Sequence, residues 1–141
     1  IIHLVGNYKI KETKARYANI KKNKLILEHS DKMSLLYAAS DLILSRSGGS
    51  TIAELSIFGK YAILAPYPYA SDNHQRENAE YYASTGAGLI LTDTEFTITK
   101  IQAMIVAFLN NTSKYIEDGK KSAKIASPDA AAKIVRLISA E

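Results

Sequence analysis

Short apolar runs alternate with longer amphipathic stretches along this chain, and that alternation limits the fold more than any other feature of the sequence. The apolar runs are rich in Ile, Leu and Val, are bounded by turn residues, and cover residues 1–5, 25–27, 41–45, 62–65 and 88–91. Continuous apolar runs of this length are typical of strands that are buried on both faces of a parallel sheet. The sequence therefore predicts an α/β fold with a Rossmann-like, doubly wound parallel sheet.

Amphipathic stretches predict helices at residues 11–19, 32–39, 51–58, 73–85, 99–110, 113–125 and 130–140. The first five alternate with the strands as in βαβ units, whereas the last two follow without an intervening strand and should pack on the outside. The sequence contains no internal repeat, no Pro/Ser-rich linker and no low-complexity segment. We therefore expect a single domain over residues 1–141.

The composition excludes several classes of site and of protein. Because the chain has no cysteine, it can form neither a disulfide nor a thiolate metal site, and it has no cysteine nucleophile. The longest unbroken apolar run, residues 103–109, is far shorter than the roughly 20 residues that span a bilayer. The first residues form an apolar, strand-like run without an initiator Met, so we expect a fragment whose upstream part is missing.

The net charge is +4, and the first quarter of the chain is strongly basic. Its cationic side chains are Lys9, Lys11, Lys14, Arg16, Lys21, Lys22 and Lys24. Their ordinary interpretation is the solvated face of a helix and its connecting loop, and a weak attraction to anionic lipid or phosphate is the alternative. No recognised nucleic-acid-binding module accompanies this charge, so we expect no nucleic-acid partner.

The segment Ser-Arg-Ser-Gly-Gly-Ser-Thr-Ile-Ala-Glu, which ends at Glu54, follows a predicted strand and opens a predicted helix. Ligands of α/β proteins bind at this edge of the sheet, where the strands have their carboxyl ends. Gly48 and Gly49 permit tight backbone geometry and a close approach by a ligand. Free N–H groups around Ser50 and Thr51 suit a phosphate. Glu54 has two interpretations: it completes a Thr51-x-x-Glu54 capping box, or it accepts hydrogen bonds from the ribose hydroxyls of a nucleotide.

Two further loops join a strand to a helix. In residues 66–78, Asp72-x-x-Gln75 is again a possible capping box. His74 has the chemistry of an acid–base group, although a lone histidine at a helix start is more often polar surface. In residues 28–31, Ser30 or Asp31 is expected to cap the next helix, or the loop backbone contacts the edge of a planar base. The three histidines are too isolated in the sequence to predict a metal site.

The order of these segments resembles the MurG family, bacterial N-acetylglucosaminyltransferases that make lipid II for peptidoglycan. The matching segments are ASDLILSRSGGSTIAEL (39–55), GKYAILAP (59–66), DNHQRENA (72–79), GAG (86–88) and PDAA (128–131). The likeness covers nearly the whole chain, and its first two segments are specific when found together. It implies the GT-B architecture, in which two Rossmann-like domains enclose the active site. This chain would be the C-terminal half, which binds UDP-GlcNAc.

The resemblance also implies which residues hold the nucleotide part of the donor. Gly49, Ser50 and Thr51 would meet the diphosphate and the sugar through backbone N–H groups and the Thr hydroxyl. Glu54 would hold the ribose hydroxyls. The backbone of the loop at Ser30 would face the uracil.

For the sugar, the resemblance implies hydrogen bonds from His74 and Gln75 to its hydroxyls, with Asn78 nearby. No catalytic residue is expected in this chain, because the family's proposed general base lies in the N-terminal domain. The family binds its donor without a metal, and the sequence has no Asp-x-Asp motif, so we expect neither a metal nor a cofactor.

Two departures from the family pattern limit what this chain can do by itself. The C-terminal domain of the family normally begins with another strand and a glycine-rich loop, and neither is present here. The N-terminal domain, with the surface for the lipid I acceptor, is also missing. We therefore expect the fragment to be inactive alone, and the parent protein to lie on the cytoplasmic face of the bacterial plasma membrane with a peripheral contact mainly through the missing domain. The alternatives are a donor-binding subunit of a split or related UDP-sugar transferase, and a non-catalytic nucleotide-sugar-binding module.

Overall fold

The computed structural model describes residues 1–6 and 9–139 and divides the chain into two compact units, Ile1–Ser40 and Asp41–Glu141. The first unit has the element order β1 (Ile2–Leu4), α1 (Ile10–Arg16), β2 (Leu25–Leu27) and α2 (Met33–Ala38). Its two strands pair in parallel, with Ile2 opposite Leu25. A parallel pair requires a crossover connection, which α1 supplies.

The second unit contains the larger sheet. Its strands and helices are, in chain order, β3 (Leu42–Ser45), α3 (Gly49–Phe58), β4 (Tyr61–Leu64), α4 (His74–Ser84), β5 (Gly88–Ile90), α5 (Ile98–Asn110), α6 (Thr112–Lys120) and α7 (Ala130–Ser139). Three short 3₁₀ turns lie at Ser71–Asn73, Asp93–Glu95 and Lys121–Ile125. The strands pair in parallel in the order β3-β4-β5.

The core of the second unit lies around β4. All four residues of this central strand are buried, as expected for a strand that has neighbours on both sides and helices on its faces. Leu55 of α3 and Tyr82 of α4 are fully buried in the same unit. The Tyr82 hydroxyl donates a 2.5 Å hydrogen bond to the Lys60 carbonyl, which satisfies its polar end in the interior.

The predicted α/β class and its parallel strands are confirmed. Single-domain organisation over the whole chain stays a prediction. The stretch predicted as one helix at residues 113–125 is instead α6 followed by the 3₁₀ turn Lys121–Ile125, a tightening that is frequent at the C-terminal ends of α-helices. Ala140, which ends the last predicted helix, lies outside the described residues. Within residues 1–6 and 9–139, no helix has the length and apolar character needed to cross a membrane.

Candidate functional site

Two helix starts share one edge of the larger sheet. β3 ends at Ser45 and β4 at Leu64, and these two residues lie opposite each other in the parallel register. The chain after β3 leads to the start of α3, and the chain after β4 leads to the start of α4. Seven of the eight predicted site residues lie at or just after these two starts, at the sheet edge where α/β proteins bind ligands.

The start of α3 is open. Gly48 is the N-cap residue in an extended conformation, and no side chain caps the helix. The first intrahelical bond runs from the Ile52 N–H to the Gly48 carbonyl, 3.0 Å. Among the described residues, the N–H groups of Gly49, Ser50 and Thr51 have no hydrogen-bond partner. Three unpaired donors at the positive end of a ten-residue helix have the geometry of an anion site.

The capping box predicted at Thr51 and Glu54 is wrong. Because the extended Gly48 is the N-cap residue and the helix begins at Gly49, Thr51 is the third helical residue and cannot be the N-cap. Glu54 lies one turn further along the same face, half-buried. Within the described part of the chain it has no hydrogen-bond or ion-pair partner. Its carboxylate is therefore available to a ligand.

Neither Gly48, the N-cap residue of α3, nor Gly49, its first residue, has to be glycine for its backbone conformation or for lack of space. Neither Gly48 nor Gly49 has a positive φ, so the backbone conformation does not require glycine at either position. A Cβ built on Gly49 would meet no atom within 4 Å, and one built on Gly48 would meet only the Thr51 hydroxyl at 3.9 Å. The expected close approach of a ligand to these glycines stays a prediction.

The start of α4 has a different geometry. Asp72 and Asn73, the N-cap residue of α4, both have a left-handed backbone conformation, with φ of 52° and 56°. No side chain caps the helix. The capping box predicted at Asp72 and Gln75 is therefore also wrong, because the N-cap lies one residue later than its spacing requires. Gln75 Oε1 instead accepts a 2.9 Å hydrogen bond from the Tyr67 N–H. His74 is exposed as the first residue of α4.

Ser47 joins the two helix starts. Its hydroxyl donates to the Gln75 carbonyl at 2.6 Å, and its carbonyl accepts from Asn78 Nδ2 at 3.0 Å. The Ser47 side chain is fully buried. No local pattern in the sequence marks this residue, because its partners lie 28 and 31 positions away.

These contacts also fix the polarity of two predicted sugar-binding amides. Because Asn78 donates Nδ2 to a carbonyl, its Oδ1 is the atom left to accept. Gln75 uses Oε1 to accept from the Tyr67 N–H, so its Nε2 is the atom left to donate. The site thus has one amide donor and one amide acceptor, both on the first two turns of α4.

Arg46 forms a second link between the loops and was also missed. Its Nη1 donates to the carbonyls of Ala65 and Pro66, at 3.1 and 3.0 Å. Its guanidinium lies 5.4 Å from the centre of the Tyr67 ring, in the range of a cation–π contact. At the end of β3, the Ser45 hydroxyl is buried and has no hydrogen-bond partner among the described residues.

Ser30, the eighth predicted residue, lies in the first unit after β2. Its hydroxyl accepts a 3.1 Å hydrogen bond from the Lys32 N–H. The expected capping of α2 by Ser30 or Asp31 is wrong, because Lys32 occupies the N-cap position and no side chain caps the helix. Contact of this loop with a base stays a prediction. In the described residues, no group of three or more His, Asp or Glu side chains could hold a metal ion.

The sequence is similar to known glycosyltransferases over nearly its whole length. It is 33% identical over 137 residues to a Desulfotalea psychrophila protein named UDP-N-acetylglucosamine--N-acetylmuramyl-(pentapeptide) pyrophosphoryl-undecaprenol N-acetylglucosamine transferase, covering 97% of this chain and 37% of that protein. A protein of the same name from Desulforamulus reducens is 33% identical over 147 residues, covering 98% and 39%. This chain therefore spans about two fifths of the length of these relatives.

Solved structures give the same result. The crystal structure of Acinetobacter baumannii MurG superposes with a TM-score of 0.87 at 31% identity, over all of this chain and 41% of that one. The glycosyltransferase VinC superposes with a TM-score of 0.65 at 17% identity, over 92% and 33%, which supports the fold alone. The fold is that of the C-terminal half of a GT-B glycosyltransferase. The sequence profile of the glycosyltransferase family 28 C-terminal domain matches residues 1–134, and the chain belongs to this family.

Proposed function

We propose that this chain is the UDP-GlcNAc-binding half of an inverting N-acetylglucosaminyltransferase that converts lipid I to lipid II in peptidoglycan synthesis. The names of the relatives support the donor and the acceptor, since they state N-acetylglucosamine transfer from UDP-N-acetylglucosamine to a pyrophosphoryl-undecaprenol. One observation carries the proposal at the level of the site. It is the uncapped start of α3, where three backbone N–H groups have no hydrogen-bond partner among the described residues and a Cβ on Gly49 would meet no atom within 4 Å.

The diphosphate of the donor binds at the N–H groups of Gly49, Ser50 and Thr51. The positive end of α3 offsets its charge, which removes the usual need for a bridging metal ion. Glu54, without a protein partner among the described residues, accepts hydrogen bonds from both ribose hydroxyls. The loop backbone at Ser30 contacts the uracil.

The sugar binds against the start of α4. Gln75 Nε2 donates to one sugar oxygen, and Asn78 Oδ1 accepts from one sugar hydroxyl, as their protein contacts leave these atoms for a ligand. Exposed His74 contributes a further hydrogen bond to a sugar hydroxyl. Because Asn78 Oδ1 accepts a hydrogen bond, it favours a sugar that has a hydroxyl at the contacted position over the deoxy analogue that lacks it.

In the reaction, the acceptor hydroxyl attacks the anomeric carbon while the bond to the UDP oxygen breaks, with inversion. The negative charge that develops on the leaving diphosphate is stabilised by the backbone donors at the start of α3. The proton of the acceptor passes to a base outside this chain. This chain therefore holds the donor and the leaving group but supplies no catalytic residue, and it should show no transfer alone.

The acceptor determines where the protein works. Undecaprenol is a membrane lipid, so the enzyme meets its acceptor at the bilayer surface, on the cytoplasmic side where UDP-GlcNAc is found. The contact with the membrane is peripheral and runs mainly through the N-terminal domain.

The test separates Glu54 as a ribose ligand from Glu54 as a helix residue. Glu54→Gln turns two charge-assisted hydrogen bonds into neutral ones, a loss of roughly 1–3 kcal/mol and roughly ten- to a hundredfold in UDP affinity. Because Glu54 caps nothing, the melting temperature should stay unchanged. UMP, which keeps the ribose, should weaken by the same factor as UDP.

Calorimetric titrations and thermal melts of the full-length gene product would measure these effects. Glu117→Gln in α6 is the control, because it removes the same charge from an exposed side chain whose contact among the described residues is a surface ion pair with Lys120. Equal UDP binding by Glu54→Gln and Glu117→Gln would exclude Glu54 from the donor site.

A further inference from the structure

Ser47 is placed where it can affect the proposed donor site without touching a ligand. It lies directly before Gly48, the N-cap residue of α3, and its side chain is 0% exposed. A ligand therefore cannot reach the Ser47 hydroxyl. Any influence of this hydroxyl on binding has to pass through the groups to which it is bonded.

Those groups belong to the other helix start. The Ser47 hydroxyl donates to the backbone carbonyl of Gln75, the second residue of α4, at 2.6 Å. The Ser47 carbonyl accepts from the side chain of Asn78, the fifth residue of the same helix, at 3.0 Å. One residue thus bonds both to the backbone of the first turn of α4 and to the side-chain amide of Asn78.

Ser47 is separated only by Gly48 from the residues whose N–H groups form the start of α3. The phosphate-binding half of the proposed site and the two hydrogen bonds from Ser47 to α4 therefore share one short stretch of backbone. If the hydrogen bond from the Ser47 hydroxyl to the Gln75 carbonyl is removed, α3 keeps its own hydrogen bonds, whereas the first turn of α4 loses its bond to Ser47. The phosphate half should remain intact while the sugar half shifts.

We propose that Ser47 is a positioning residue that sets the spacing between the diphosphate-binding start of α3 and the sugar-binding start of α4. The proposal rests on the proposed function above. It makes Ser47 a determinant of how strongly the sugar, as distinct from the nucleotide, contributes to donor affinity. Small errors in the position of binding groups are enough to lose such a contribution.

A matched control exists in the next helix. Ser56 is 1% exposed, and its hydroxyl donates a 2.7 Å hydrogen bond to the Ile52 carbonyl within α3. Ser56→Ala removes a buried hydroxyl and one hydrogen bond to a carbonyl, as Ser47→Ala does, but it breaks no link between the helices. A merely structural role would make the two variants behave alike.

The experiment measures UDP and UDP-GlcNAc affinities, melting temperatures and backbone amide exchange in the full-length gene product. Both variants should lose comparable stability. Ser47→Ala should weaken UDP-GlcNAc roughly fivefold to tenfold, as expected for one buried hydrogen bond, and UDP by less than about twofold. It should also speed amide exchange in the first two turns of α4. Ser56→Ala should change neither the ratio of the two affinities nor the exchange of α4.

Two results would overturn the proposal. In the first, Ser47→Ala behaves as Ser56→Ala does in both affinities and in exchange. In the second, Ser47→Ala weakens UDP and UDP-GlcNAc equally, so that the residue supports the whole site rather than the spacing of its halves. A wild-type protein that binds neither ligand would refute the proposed function instead, and the exchange of α4 would then decide by itself whether Ser47 holds the two helix starts together.

Discussion

Gly119 is the position at which a single added methyl group should cost most. It lies near the end of α6, buried against the start of β4. A Cβ built on Gly119 would lie 2.5 Å from the Tyr61 nitrogen, 2.7 Å from the Gly59 carbonyl oxygen and 2.9 Å from the Lys60 carbonyl carbon. All three are backbone atoms, so no side-chain rotation relieves the contact. The Gly119→Ala change must therefore move α6 or the first residue of the central strand.

The expected loss is about 2 kcal/mol of unfolding free energy. Overpacking a rigid site costs about 3 kcal/mol at the upper end of its usual range. Replacing a helical glycine by alanine returns about 1 kcal/mol through helix propensity. With an urea dependence of about 2 kcal/mol per molar, the unfolding midpoint should fall by about 1 M.

Gly49→Ala is the control for this measurement. Its Cβ would meet no atom within 4 Å and its φ is not positive, so its urea midpoint should stay within about 0.3 M of the wild type. Circular dichroism during urea titration of both variants is the assay. Equal midpoints for Gly119→Ala and Gly49→Ala would refute the argument that close backbone contact requires glycine at position 119.

Two further predictions concern a turn and the alkaline limit of stability. Thr92 and Glu95 form a capping box around the turn Asp93–Glu95. Thr92→Ala should therefore lower the free energy of unfolding, measured by urea titration, by about 1 kcal/mol. A loss of less than about 0.3 kcal/mol would contradict this role of Thr92. Burial, followed by the negative charges of Tyr115 and Asp118, raises the pKa of Tyr61 from 10.0 to about 12, and burial also raises the pKa of Tyr82. Because the folded state favours the protonated phenols, their contribution to stability is complete below pH 10 and is lost as the pH rises toward 12. Absorbance at alkaline pH should show a late tyrosine ionisation that Tyr61→Phe removes, and an alkaline titration left unchanged by Tyr61→Phe would contradict the assignment.

Much of the fold could be predicted from the sequence. The predicted strand at residues 25–27 coincides with β2, and the runs at 41–45 and 88–91 differ from β3 and β5 by one residue at a single end. Helix boundaries were less accurate, since α3 begins at Gly49 rather than at residue 51. The predicted site residues could be assigned to helix starts for the same reason, because the order of strand, loop and helix is visible in the chain itself.

The two capping boxes show where local spacing fails. Thr51-x-x-Glu54 and Asp72-x-x-Gln75 both have the correct spacing, yet neither pair caps its helix. Spacing specifies which side chains would meet if a given residue were the N-cap, but it does not specify which residue becomes the N-cap. The backbone conformation of the loop after each strand determines the N-cap residue. Gly48 is extended in one loop, and Asn73 is left-handed in the other.

The sequence by itself determined the α/β class, the strand positions and the two helix starts that form the candidate site, because each of these depends on residues that are neighbours in the chain. Only the tertiary structure decided how the two starts are held together and which amide atoms remain for a ligand. The bonds of Ser47 to Gln75 and Asn78 span 28 and 31 residues. Such contacts arise when two parallel strands end at one sheet edge, and no periodicity along the chain encodes them.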